Sequence, residues 1–198
     1  DPLDDVADAI DDCAKLMQLY RLDRVRPGVR ELARILLDQT AQVEKAMEAL
    51  AKKYPDDVEA KIFYALALNE TFDHKTMGNL IKAIEILEPI DQKYPDHPGV
   101  THYLIHSYDF PALADRGVAA ANKYARIAPA APHAQHMPAH IYSMVGMWEA
   151  SIASNLASVV VAKEYAEKSK LDGVLAGVPH AYDFMQYAYL QLGQDAKA

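Results

Sequence analysis

Six of the eight histidines in this 198-residue chain fall in three short strings. The first is His102-Tyr103-Leu104-Ile105-His106, the second is His133-Ala134-Gln135-His136-Met137-Pro138-Ala139-His140, and the third is Pro179-His180-Ala181-Tyr182-Asp183. Neutral imidazole nitrogens bind zinc, copper, iron or nickel, and a carboxylate such as Asp183 or Asp109 would complete a mixed nitrogen and oxygen set. Two histidines with one carboxylate and open positions favour ferrous iron and oxygen chemistry, whereas three or four histidines favour zinc or copper. His102 and His106 are four residues apart, as are His136 and His140. On a helix that spacing puts both rings of a pair on one face. Pro138 falls between the members of the second pair and removes a backbone hydrogen bond. If the helix begins at Met137–Pro138, His133 and His136 sit in the entering loop and the one-face geometry of that pair does not hold.

The elements that must position these rings read as helices throughout. From Leu3 to Tyr20 the apolar residues Val6, Ile10, Cys13, Leu16, Met17 and Tyr20 recur at three- and four-residue steps, which makes one buried stripe. Val29–Lys53 carries a similar stripe and reads as one long helix or as two, with Asp38-Gln39-Thr40 as the place where a break would fall. Further helices are predicted at about Asp57–Thr71, Gly78–Lys93, Gly99–Tyr108, Asp115–Ala128, His136–Val145, Trp148–Ser169 and Pro179–Leu192. Pro27 suits a first turn, and Tyr54-Pro55, Tyr94-Pro95 and Ala128-Pro129 suit helix stops. No alternating run competes as a strand, so the expected fold class is all-α. Pro55, Pro95 and Pro129 are spaced by 40 and 34 residues. In that register Ile62, His102 and His136 are equivalent, and so are Leu66, His106 and His140. The turn glycines Gly146 and Gly193 extend the register and place His133 on His180, His136 on Asp183 and His140 on Tyr187.

A 34-residue helical unit is the length of the tetratricopeptide repeat. From about Pro55 to the C-terminus the chain resembles a tetratricopeptide-repeat protein, with a helical region over 1–54 preceding repeats over 55–198 in one continuous domain. The three histidine strings are similar to those of a bacterial group of such proteins, which carry H-x-x-x-H, H-x-x-H-M-P-x-H and P-H-x-x-D or P-H-x-x-H. The resemblance implies an α-solenoid of antiparallel helix pairs and supplies no activity. It also implies that Glu59/Ile62/Leu66, Gly99/His102/His106, His133/His136/His140 and His180/Asp183/Tyr187 face a concave groove. Six histidines would then converge on one surface, while His74 and His97 sit in turns.

Three readings of that cluster are open. In one it is a site for a zinc, copper or iron ion, held among His102, His106, His133, His136, His140, His180 and Asp183. In the second the groove binds a peptide, protein or small anionic ligand without metal, through imidazoles and Tyr103, Tyr142, Tyr182 and Tyr187, with pH-dependent affinity. In the third the histidines are hydrogen-bonded packing residues. The carboxylate clamp of many peptide-binding repeat proteins needs lysine and asparagine at the groove places, and none of these places is Lys, Arg or Asn here. A metal-dependent hydrolase or oxidoreductase is a further class, since histidines with a carboxylate serve acid–base work or a metal-bound water.

Composition narrows the rest. The formal charge is −8, from 20 basic and 28 acidic residues, and without a dense Lys/Arg block this argues against nucleic-acid partners. The apolar run around Val159–Ala162 is too short to cross a bilayer. A soluble protein is expected, cytoplasmic or, if a signal peptide has been trimmed, exported to the periplasm. One cysteine, Cys13, excludes an internal disulfide, a Cys-rich zinc site and an iron–sulfur cluster, and its apolar stripe marks it as packing. No G-x-S-x-G or phosphate-loop context occurs. The acidic run Asp1–Asp12 reads as a solvated face. Trp148, Met137, Met144, Met147 and Met185 read as packing residues.

Overall fold

The computed structural model describes residues 27–72, 75–175 and 177–198, with side chains from Arg34 onward. The expected helix Leu3–Tyr20, Cys13, the acidic run Asp1–Asp12 and His74 lie outside the described residues. Among the described residues the protein is all-α: α1 Pro27–Lys53, α2 Val58–Glu70, α3 Gly78–Lys93, α4 Pro98–Tyr108, α5 Ala114–Ile127, α6 Pro132–His136, α7 Pro138–Met144, α8 Trp148–Ser169 and α9 Gly177–Gln191. The stripe after Val29 is uninterrupted, because the Thr40 hydroxyl bonds back to the Leu37 carbonyl at 3.0 Å and stays inside the helix.

The three prolines used for the register occupy the same turn three times. Tyr54, Tyr94 and Ala128 each donate N–H to the carbonyl four residues back, and Asp57, His97 and Ala131 each donate to the carbonyl three back. Two of these turns then cap the next helix by side chain: Asp57 accepts from the Ala60 N–H, and His97 Nδ1 accepts from the Val100 N–H, both at 3.2 Å. A side-chain acceptor at that place satisfies an N–H that the first turn leaves without a partner. Gly146 and Gly193 likewise repeat a second turn, each with positive φ (75° and 65°). In each, the next residue's N–H reaches back five residues: Met147 to Tyr142, and Gln194 to Tyr189. This is the left-handed helix stop that glycine accommodates without a Cβ clash.

Most helices pack densely on their chain neighbours, but α6 packs chiefly on α8 and α7 on α5; α2 on α4, α4 on α7, and both α6 and α7 on α9 add further contacts. The main core runs through α2 to α7 and includes Leu68, Ile84, Leu87, Ile105 and Ile141. A second, smaller cluster joins α8 to α9 through Val159, Ala162, Val178 and Ala181. Gly117 lets α5 come close to both α4 and α7: a Cβ there would stand 2.8 Å from Tyr108 Cβ and from Ile141 Cδ1. The histidines of the candidate site sit where α4, α6, α7 and α9 face one another. No helix among the described residues is long and apolar enough to cross a membrane.

Candidate metal centre

Proline breaks the ladder at the expected place but does not separate the histidines it interrupts. His133 and His136 lie on the short helix α6 rather than in an irregular loop. Met137 keeps helical angles (φ −49°, ψ −37°), and its N–H still reaches the His133 carbonyl at 2.9 Å. The chain therefore stays on the helical path through Pro138, and His136 and His140 remain one turn apart. Their Nε2 atoms face each other at 3.1 Å.

The other nitrogen of each ring is held by an oxygen. His136 Nδ1 lies 2.6 Å from Asn155 Oδ1, and the Asn155 amide is oriented by donating its Nδ2 to the Ser151 carbonyl at 2.9 Å. His140 Nδ1 lies 2.8 Å from Asp109 Oδ2. Both oxygens accept, so both rings carry a proton on Nδ1. With both rings neutral the Nε2 lone pairs face each other at 3.1 Å, an arrangement relieved by a cation between them, a metal ion or a proton. Histidines that ligate metals are held in this way, with the outer nitrogen donating to a carboxylate or carbonyl.

A second convergence lies beside the first. His102 Nε2 is 3.1 Å from His106 Nε2 and 3.0 Å from His133 Nε2. In each of the sets His102/His106/His133 and His136/His140/His180 the donor nitrogens lie within 4.8 Å of one another. A tetrahedral ion with bonds of about 2.0–2.1 Å separates its nitrogens by about 3.3–3.4 Å, and an octahedral one by about 2.8–3.0 Å. The close pairs fall between these values.

Burial keeps His102, His106 and His136 neutral. His102 is held far below the ordinary imidazole range, first by burial and then by His106 and His133. Burial, then the His140 ring, lowers His106 to about 3, with Asp109 acting in the opposite direction. His136 is lowered to about 2 by burial and His140, against the Asn155 hydrogen bond. A neutral ring is the form that binds metal. Apolar rings close the site. Phe184 lies 4.9–5.1 Å from the His136, His140 and His180 centroids, and Tyr124 stacks on His102 at 5.4 Å.

All six histidines of the three strings thus meet, and Asp109 reaches the cluster through His140. Asp183 does not: it is exposed on α9 and belongs to neither histidine set. The buried side of α9 (Val178, Ala181, Met185, Ala188) faces α8, and His180 with Phe184 turns toward α6 and α7. That leaves Asp183 on the open side. Tyr182 and Tyr187 are exposed as well, and the Tyr142 hydroxyl is turned to Asn122. His97 caps α4 and bonds Glu59 at 3.0 Å, away from the cluster.

No family model, curated protein or solved structure matches this chain. The site therefore rests on its own geometry. Asn155 and Phe184 are the residues that sequence reasoning passed over. Phe184 follows His180 by one helical turn. Asn155 belongs to a polar stripe of α8, with Ser151 and Ser158, that is buried among Ile152, Val159 and Ala162. Small polar residues on the apolar side of a helix signal a buried partner that needs an acceptor.

Proposed function

We propose that this is a tetratricopeptide-type helical repeat protein whose histidine pocket binds a transition-metal ion. The observation that carries the reading is the His136–His140 pair, whose Nε2 atoms face each other at 3.1 Å with Asn155 and Asp109 holding the far side of each ring. The repeated turns at Pro55, Pro95 and Pro129 support the repeat architecture. The donors are all nitrogen, which favours zinc or copper over a ferrous two-histidine, one-carboxylate site. Three protein donors also leave a coordination position open, the donor count of catalytic rather than closed structural zinc sites. That favours, as a second reading, a hydrolytic enzyme over a purely structural ion.

The test is elemental analysis of tag-free protein purified without chelator. At least about one equivalent of zinc or copper is expected, reduced by His136→Ala and by His140→Ala and unchanged by His97→Ala. Absence of bound metal, together with no uptake of zinc, copper, iron or nickel, would overturn the reading.

A further inference from the structure

We infer that the pocket is built for two metal ions, one at His102/His106/His133 and one at His136/His140/His180, with the second site the tighter. The inference rests on the metal-binding reading above and adds to it a count, a division of ligands and an order of filling.

The two sets are the same site made twice. In the register of Pro95 and Pro129, His102 and His106 correspond to His136 and His140, 34 residues on. In the register of Gly146 and Gly193, His133 corresponds to His180, 47 residues on. Each set therefore takes an i, i+4 pair, from α4 in the first and from α6 running on into α7 in the second, and the leading histidine of the following unit. A repeat that places one such set at a junction between units places another at the next junction.

Distances separate them. The close Nε2–Nε2 contacts, 3.0–3.1 Å, all fall inside a set. Ring centroids do not draw the line, since His140–His180 inside the second set stand 6.2 Å apart, against 6.3 Å for His106–His140 and His133–His136 across the sets. The donor nitrogens do: each set of three keeps them within 4.8 Å of one another. One ion at either set leaves the other three-nitrogen group intact.

Their surroundings differ. Asn155, which holds His136 Nδ1, corresponds to Ala121, 34 residues earlier, and Ala121 is buried with no side-chain acceptor to offer. His102, the counterpart of His136, is stacked on Tyr124 instead. Loss of one outer hydrogen-bond partner commonly weakens a metal site 10–100-fold. The His136 site fills first on that account.

The experiment is titration of the intact, metal-stripped chain with zinc against a chromophoric chelator, for the native sequence, His133→Ala and His180→Ala. Two equivalents are expected for the native chain, with affinities about 10–100-fold apart. Each variant should retain one equivalent, weaker in His180→Ala and tighter in His133→Ala; the retained ion also reports that the variant is folded. A native count of one would overturn this inference and leave the metal-binding reading standing. A native count of zero would overturn that reading itself. Loss of both equivalents in each variant, with far-UV circular dichroism unchanged, would overturn the division into separately built sites.

Discussion

Replacing Asp109 by asparagine separates the two things this residue does for His140. The side chains have nearly the same shape, so an amide oxygen can still accept from His140 Nδ1 and hold the ring's orientation. What is lost is the negative charge. The path from Asp109 Oδ2 runs 2.8 Å to Nδ1, across the ring and along one bond to the ion, about 7 Å in all with a metal–nitrogen distance of about 2.1 Å. At an effective dielectric constant of about 20, a unit charge and a divalent ion at that distance attract by about 5 kcal/mol. That is a ceiling, because both side chains remain about a fifth exposed (17% and 22%) and solvent screens them. Measured losses of outer-shell partners are 10–100-fold, about 1.4–2.7 kcal/mol. We expect Asp109→Asn within that range, and Asp109→Ala further down it because the acceptor goes too. Chelator competition with zinc at constant pH and ionic strength reads both. Affinities within twofold of the native value in both variants, with unchanged thermal melts, would refute His140 as a ligand oriented by Asp109.

Two further outcomes follow from the same structure. His102, His106 and His136 are kept neutral in the fold but protonate near pH 6.5 in the unfolded chain, so the unfolded state binds more protons and stability falls as pH drops below about 6.5. Each contributes a slope approaching about 1.4 kcal/mol per pH unit until its lowered folded value is reached, about 3 for His106 and about 2 for His136. Chemical denaturation of the metal-free protein should show a clear loss between pH 7 and pH 5; equal stability at both would contradict neutral burial. Gly117→Ala adds a Cβ 2.8 Å from Tyr108 Cβ, and overpacking of about 1–3 kcal/mol outweighs the about 1 kcal/mol gained in helix propensity. The melting temperature should fall; a rise would show that α5 is free to move away from α4.

Helix positions and the meeting of the histidines were legible because each depends on local spacing. The proline register needs only that one turn recur, and the same hydrogen bonds at Tyr54, Tyr94 and Ala128 bear that out. Pro138 was read as more disruptive than it is: losing one donor removes a single bond, and the helical angles of Met137 carry the path through. Asp183 was drawn into the site by register, but which side of α9 is covered depends on what packs there, and no local pattern reports it. Asn155 was missed for a related reason. Its partner lies 19 residues away on another helix, and periodicity says nothing about such pairings.

The unit without histidines shows what the pocket displaces. Ile62 and Leu66 occupy the places that His102 and His106, and His136 and His140, take in the next two units, and both are buried apolar core. In the next two units these places hold buried or half-buried imidazole rings where the first unit has hydrocarbon packing. On the proposed reading each histidine set gives up apolar cohesion for ligation, the stability–activity conflict found where function requires a strained arrangement. Metal occupancy would then decide whether the junctions from α4 to α9 melt with the rest of the molecule or ahead of it.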